Sequence, residues 1–531
     1  MHNKPLITTL IAMALLSSTQ AQDVRTAAAA KVKLHTARLA LLAEKYRDVP
    51  NYYPVKAWET AQLEMAMAAL ATGKAPAEEP GFALEAYISD IDNSAQPFWV
   101  YVPKKKVDEP GLLVDLHGYS STLDQLLQPK PGLPLTDIAD KTGAYVVAPF
   151  ARGNTDYQHI GEADVLRVID EMAARHAIDR DKIVLAGASM GGLGCWCIGS
   201  RNAHLFNAIV IFCGRGDFYV WHKLKPSDIP SWQREIVDKQ FATQYLPNLT
   251  NTQIVAAHGL LDDIVTYEQG EFPVKTLRKL GSDKIRFVSF PHCDHVVFLD
   301  AIADSSVTNL LIRGLSEKFP RIAKCDPAPK FRGDAGSRTM NALLSPFLMV
   351  SGADYSGNGY SNELFKARVR EWEDFGHGTP RSKNELQLTM RDVTTYNLFC
   401  FGEPEYSYLI AALLKKAGVS YTKKAFSCAG KTMPRDDRHG FLIAMTNPYN
   451  TNLTAVVQCG LPWATEQSPN HRFDRIPDVI CYNDDTDMFG YPVAEAAGFI
   501  DDDGKVRWSP NPFTEAIRKV EIDYGDVIWT D

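Results

Sequence analysis

Short apolar runs alternate with amphipathic stretches from residue 83 to about residue 316. The apolar runs are rich in β-branched residues and predict strands buried on both faces. They read FALEAYIS, QPFWVYVP, GLLVDLHG, AYVVAPF, KIVLAGAS, NAIVIFCG, TQIVAAHG and KIRFVSFP. Stretches such as ADVLRVIDEMAARHAI, which lie between strands, have the period of a helix. This alternation predicts an α/β domain at 83–316, with a mostly parallel sheet and helices on both faces.

Different patterns flank this domain on each side. Two Ala/Leu-rich helical stretches, 24–47 and 55–74, predict an N-terminal helical extension over residues 22–82. A segment rich in Pro, Lys, Arg and Gly predicts a linker at 317–340. Apolar runs and helical stretches then resume, and they predict a second, accessory α/β domain at 341–531.

The first 21 residues have the pattern of a signal peptide. Lys4 precedes the apolar core LITTLIAMALL, and small residues lie just before Gln22. The core is too short to span a membrane. We therefore expect a secreted or periplasmic protein without a membrane span.

Composition narrows the function classes. The chain has 531 residues and a formal net charge of −8. It carries no basic block, so nucleic acid is not an expected partner. The nine cysteines are scattered without CxxC spacing, which gives little support for a zinc site. We predict no metal and no cofactor. Oligomeric state and cysteine pairing stay open.

Ser189 lies in a Gly-Ala-Ser-Met-Gly pentapeptide between a predicted strand and a predicted helix. This is the context of a nucleophile elbow, in which a sharp turn lifts a serine above the sheet edge. A glycine-rich turn that contains a serine by chance has the same letters. The distinction depends on whether an acid and a histidine follow in order, each after a strand.

Both follow. Asp262 comes after the strand TQIVAAHG, and His295 comes after KIRFVSFP. Histidine is the usual base for serine, and a carboxylate orients it. Two neighbours compete for these roles: Asp263 for the acid and His292 for the base. We favour His295 because an apolar helix start follows it, which leaves His292 either to line the pocket or to be solvated.

An oxyanion hole needs two backbone N–H groups. The residue after the nucleophile, Met190, supplies one, and Tyr119 in the loop after GLLVDL is the candidate for the other, with Gly118 as its rival. Arg152 and Tyr157, in the loop after AYVVAPF, are candidate substrate-binding residues because this loop belongs to the same sheet edge.

The segments DLHGY, GEADVLRVIDEM, IDRDKIVLAGASMGG, HGLLDDIV and FPHCDH together resemble the α/β-hydrolase superfamily. More narrowly, they resemble the prolyl-oligopeptidase-like catalytic domain and the polyhydroxybutyrate-depolymerase and feruloyl-esterase group. The resemblance implies Asp262 as the catalytic acid, and Met190 and Tyr119 as the oxyanion-hole donors. Thr266 stands where the family usually has proline, a departure that leaves the carboxylate assignment intact.

Three functions are compatible with these patterns. We expect an exported serine esterase acting through an acyl-enzyme, with an ester substrate such as feruloyl or acetyl groups on a polysaccharide. A peptidase of the prolyl-oligopeptidase type is the second hypothesis. Typical members shield their serine with a large β-propeller, and too few residues precede the strands of the catalytic domain here to form one. The third is a binding protein with a silent hydrolase fold, because fold alone does not establish activity.

Overall fold

The computed structural model describes residues 4–320, 336–353 and 360–510, with side chains described from Ala21 onward and, after the second gap, from Glu363. The predicted linker at 317–340 and the end of the predicted accessory domain therefore lie partly outside the described residues. Within the described part of the chain, no helix is both long and apolar enough to cross a membrane.

The N-terminal extension is a pair of antiparallel helices, α1 (Lys4–Lys45) and α2 (Tyr52–Thr72). Helix α1 is continuous across the predicted signal-peptide boundary. Its buried side chains, among them Ala30 and Leu34, pack in one cluster with Trp99 of the first α/β domain. Glu59 of α2 accepts hydrogen bonds from Arg38 and His35 of α1. The extension is thus part of the folded body of the protein.

The first α/β domain is built on an eight-stranded sheet. Its strands are β1 (Gly81–Ile88), β2 (Ala95–Val102), β3 (Leu112–Leu116), β4 (Tyr145–Pro149), β5 (Ile183–Ala188), β6 (Ala208–Phe212), β7 (Gln253–Gly259) and β8 (Ile285–Phe290). Their spatial order is β1-β2-β4-β3-β5-β6-β7-β8. The first two strands pair antiparallel, β2 pairs antiparallel with β4, and all later pairs are parallel.

Helices cover both faces of this sheet. They are α3 (Leu133–Thr142), α4 (Ile160–Arg175), α5 (Met190–Arg201), α6 (Phe218–His222), α7 (Ser231–Gln240), α8 (Tyr267–Lys279), α9 (Phe298–Ala303) and α10 (Ser305–Ser316). The central strands are buried on both sides, as their unbroken apolar runs predict. The predicted α/β fold with helices on both faces is confirmed.

The C-terminal domain has a second, mixed sheet. Its helices are α11 (Arg338–Ala342), α12 (Tyr360–Gly376), α13 (Met390–Thr395) and α14 (Tyr408–Lys416). Its strands are β9 (Phe347–Ser351), β10 (Ser382–Asn384), β11 (Asn397–Phe401), β12 (Ser420–Tyr421), β13 (Ala425–Cys428), β14 (Lys431–Pro434), β15 (His439–Thr446), β16 (Thr454–Gly460), β17 (Val479–Thr486), β18 (Pro492–Ile500) and β19 (Val506–Trp508). The main sheet has the order β10-β9-β11-β16-β15-β17-β18-β19, and β12-β13-β14 form a small separate sheet.

The two domains share a hydrophobic core. Trp232 and Ile236 of helix α7 belong to the same buried cluster as Phe347 and Trp372 of the C-terminal domain. Polar contacts add to it: Gln96 Nε2 on β2 donates to the carbonyls of Gly376 and His377, at 3.3 and 3.2 Å. The accessory domain is therefore joined to the first α/β domain by an extensive interface.

Candidate active site

Ser189 lies at a sharp turn between β5 and α5, where the backbone takes φ 58° and ψ −117°. Residues other than glycine rarely adopt such a φ, and persistent backbone strain of this kind is concentrated at functional sites. The turn is made possible by its neighbours. A Cβ on Gly191 would lie 2.0 Å from the Leu116 carbonyl oxygen, and one on Gly187 would lie 2.5 Å from the Gly191 carbonyl oxygen. Only glycine allows this close approach of strand and helix.

The acid and the base meet the serine in the predicted order. His295 Nε2 lies 2.9 Å from Ser189 Oγ. The other ring nitrogen, Nδ1, lies 2.8 and 3.0 Å from the two carboxylate oxygens of Asp262. With the proton on Nδ1, the histidine donates to Asp262 and accepts from the serine hydroxyl, as a general base must. The rivals are placed elsewhere: the side chains of Asp263 and His292 are exposed.

The Asp262 carboxylate is fixed from several directions. Oδ1 accepts from the backbone N–H groups of Ile264 and Val265, at 3.1 and 2.8 Å. His258 Nε2 lies 3.2 Å from Oδ2, so this buried histidine of β7 touches the acid as well. Burial raises the pKa of Asp262, but the hydrogen bonds from His258 and His295 outweigh it and hold that pKa well below its usual range. The Asp262 carboxyl group is therefore ionised over the whole pH range in which His295 acts as a base.

Two loops frame the place where an oxyanion would form. Met190 opens helix α5 directly after Ser189, and its N–H is one of the free donors at a helix N-terminus. Gly118 passes over the nucleophile, since a Cβ added to it would lie 3.6 Å from the Ser189 Cβ. Tyr119 follows it, with its side chain exposed. The backbone N–H groups of Met190 and Tyr119 stay the predicted oxyanion donors, and both residues lie next to Ser189 or to the loop that passes over it.

Arg152 does not lie where the sequence places it. Its side chain is fully buried, and the guanidinium forms ion pairs of 2.7 Å with Asp92 and with Asp164. It also donates to the Gly376 carbonyl of the C-terminal domain. Because every face of the guanidinium is occupied, the expectation of a substrate contact is corrected: Arg152 anchors the loop after β4.

Tyr157 is corrected for a similar reason. It is completely buried, and its hydroxyl donates to the His117 carbonyl at 3.1 Å. Its ring lies beneath α5, where a Cβ on Gly194 would come within 2.7 Å of it. The ring therefore supports the floor of the site, and a bound substrate does not reach it. His292, by contrast, is exposed in the loop that carries His295.

Two further residues border the triad, His258 and Cys213, and sequence reasoning missed Cys213. Cys213 is buried at the end of β6, with a left-handed backbone. Among the described residues, ligand atoms of Cys213, Asp262 and His295 lie within 4.8 Å of one another, a spacing that a metal ion could bridge. The signal for Cys213 was its position, because it ends a central strand at the edge where the triad loops meet.

The surroundings of His295 predict the pH dependence of activity. The Asp262 carboxylate and then the Cys213 thiol raise the pKa of His295 above its ordinary value near 6.5. Only the neutral ring accepts the serine proton, so kcat/KM should rise with pH through this pKa, with a midpoint above 6.5. Cys213→Ala should move the midpoint to lower pH. A wild-type midpoint at or below 6.5, in a pH profile measured with an ester, contradicts this expectation.

Comparison with known proteins finds one family model that matches part of this domain. Residues 149–307, which contain Ser189, Asp262 and His295, match the model of the prolyl oligopeptidase family. No curated protein matches the chain.

Several solved structures resemble part of the chain. They include a thermostable esterase, with 18% identity over 44% of this chain and 62% of that one, TM-score 0.35. Pyrococcus horikoshii acylaminoacyl peptidase has 16% identity over 46% of this chain and 43% of that one, TM-score 0.33. S-formylglutathione hydrolase from Agrobacterium tumefaciens has 16% identity over 45% of this chain and 97% of that one, with a TM-score of 0.35. The chain thus spans less than two thirds of the first two proteins.

The strand order, the elbow at Ser189 and the matched family model agree with one another. Residues 81–316 thus have the strand order and the nucleophile elbow of an α/β-hydrolase fold, and residues 149–307 within them match the prolyl oligopeptidase family model.

Proposed function

We propose that the protein is a serine hydrolase that works through an acyl-enzyme. The observation that carries this proposal is the aligned triad, with 2.9 Å between Ser189 Oγ and His295 Nε2 and 2.8 Å between His295 Nδ1 and Asp262. In the first step His295 takes the hydroxyl proton while Oγ attacks the substrate carbonyl carbon. The N–H groups of Met190 and Tyr119 stabilise the resulting oxyanion.

The tetrahedral intermediate then collapses. The protonated His295 gives its proton to the leaving group as the bond to the acyl carbon breaks, and an ester forms with Ser189. Water, deprotonated by His295, attacks this ester; as the bond from the acyl carbon to Oγ breaks, His295 returns the proton to Ser189 and the acid is released. The Asp262 carboxylate stabilises the imidazolium in both halves of the cycle without itself taking a proton.

We propose a carboxylic ester as the substrate, with feruloyl or acetyl groups on a polysaccharide as the expected class. The resemblance to the depolymerase and feruloyl-esterase group supports this choice. Large apolar side chains on the triad loops support it too, since Leu261, Ile264 and Val296 are 61%, 60% and 73% exposed beside the acid and the base. Such a rim suits an aromatic or aliphatic acyl group better than a charged one.

A substrate panel tests this choice. With p-nitrophenyl acetate, methyl ferulate and Gly-Pro-p-nitroanilide, we expect turnover of the two esters and little of the anilide. The family model that matches residues 149–307 is that of a peptidase family, so a peptidase is the second candidate. Turnover of the anilide alone would replace the ester assignment by the peptidase one.

We also propose that the protein is exported, on the basis of the signal-like pattern of residues 1–21. The α1 side chains that pack in a cluster with the hydrolase domain, Ala30 and Leu34, lie beyond this segment, so its removal before Gln22 would leave that packing intact. N-terminal sequencing of the protein from its native host should give Gln22 as the first residue. A mature chain that begins at Met1 contradicts the proposal.

A further inference from the structure

The oxyanion loop, residues 117–120, needs support from outside its own strand. It leaves β3 at Leu116 and has no regular secondary structure. An oxyanion hole acts only when its donors are held in place before the charge develops, so a loose loop would lose most of its effect. The question is what fixes the backbone around Tyr119.

Asn154 fixes it. Its side-chain amide pairs with the backbone of Ser120, the residue after Tyr119. Oδ1 accepts from the Ser120 N–H at 3.2 Å, and Nδ2 donates to the Ser120 carbonyl at 2.7 Å. The two hydrogen bonds hold the peptide groups on both sides of Ser120, in the way a neighbouring strand would. The loop carrying Tyr119 is thus clamped from the β4 side of the site.

Asn154 is in turn held by the C-terminal domain. Asn470 Nδ2, in the short helical turn Pro469–His471, donates to the Asn154 backbone carbonyl at 2.9 Å. On the other side of Asn154, the buried Arg152 ties the same loop to the Gly376 carbonyl. Several residues of this loop have left-handed backbones, including Ala151, Arg152, Asp156 and Tyr157, a shape that needs such anchors to persist.

We propose that Asn154 is a positioning residue for the oxyanion hole, and that the C-terminal domain completes this support through Asn470. The accessory domain would then contribute to the rate of the chemical step without touching the substrate. This inference rests on the proposed function for its effect on catalysis, but its structural half can be tested without any substrate.

The kinetic test compares Asn154→Ala, Asn470→Ala and a matched control, Gln96→Ala, in the full chain. Gln96 makes the same kind of amide contact to the C-terminal domain but does not touch residues 117–120. Losing one oxyanion donor outright costs about 10²–10³ in kcat, so displacing one should cost about 10- to 100-fold in Asn154→Ala and about three- to tenfold in Asn470→Ala.

The pattern of the kinetic constants separates positioning from a general loss of structure. KM should stay within about threefold, because the hole acts on the transition state and not on the bound substrate. The pH midpoint of kcat/KM should not move. Asn154→Asp, which keeps the acceptor for the Ser120 N–H and loses the donor, should have an intermediate kcat. Wild-type kcat in both Asn154→Ala and Asn470→Ala overturns the proposal.

Amide hydrogen exchange gives an independent measurement. Exchange in the peptide covering residues 118–120 should be faster in Asn154→Ala and Asn470→Ala than in wild type, and unchanged in Gln96→Ala. Unchanged exchange in Asn154→Ala overturns the inference whatever the kinetics. Faster exchange in a protein that hydrolyses none of the substrates would support the clamp and count against the proposed function alone.

Discussion

Ser189→Ala is expected to lower kcat for ester hydrolysis by about 10⁴- to 10⁶-fold, with the protein still folded. The substitution removes the only atom that bonds to the acyl group, while the backbone of the elbow keeps its glycine neighbours. The residual rate would come from the oxyanion donors and from binding. Steady-state kinetics with p-nitrophenyl acetate, together with a circular dichroism spectrum, measure both halves of the expectation.

Asp263 and His292, the neighbours that compete for the acid and base roles, offer matched controls for the rest of the triad. Asp262→Asn should lower kcat by about 10⁴-fold, because it forces the wrong proton arrangement on His295. Asp263→Asn, one residue away and exposed, should leave kcat nearly unchanged. His295→Ala and His292→Ala form a second pair with the same contrast. A large loss in Asp263→Asn or His292→Ala, with little loss in its partner variant, would reassign that role.

Arg152→Met is expected to lower the free energy of unfolding by about 3–5 kcal/mol. The change leaves the Asp92 and Asp164 carboxylates buried without their cation. Asp92 also accepts from the Trp372 indole of the C-terminal domain at 3.0 Å, so the loss should be felt in both domains. Urea unfolding followed by fluorescence measures it.

The control for this prediction is Arg167→Met. Arg167 also pairs with two carboxylates, Asp90 and Glu171, but its side chain is 40% exposed. Exposed pairs contribute about 0–1 kcal/mol, so this variant should unfold close to wild type. Adding Asp92→Asn to Arg152→Met should restore part of the loss, since it removes one of the stranded charges. An Arg152→Met protein as stable as wild type contradicts the assigned anchoring role.

The central site could be predicted from sequence because its signals are local. The elbow needs glycines within a few residues of Ser189, and the acid and the base each follow a strand whose apolar run is visible. Parallel strands bring their carboxyl ends to one edge, so the order of motifs was enough to bring three distant residues together. The same reasoning predicted the sheet and the helices on its faces.

The role of Arg152 could not be predicted in this way. Its partners are Asp92 in the β1–β2 turn, Asp164 on α4 and Gly376 in the other domain, and no local pattern links these positions. A basic residue in a loop at the sheet edge therefore looked like a substrate contact. Asn154 was missed for the same reason, because its positioning role depends on contacts with Ser120 and Asn470, which are distant in sequence.

Labelling with a fluorophosphonate tests the central claim most directly, because this reagent phosphonylates an activated serine and needs no knowledge of the natural substrate. We expect a single adduct, located by mass spectrometry on Ser189, in wild type, a slower reaction in Asp262→Asn, and no adduct in Ser189→Ala. Wild-type protein that does not react, or Ser189→Ala that reacts equally, would contradict the account and favour a silent binding protein.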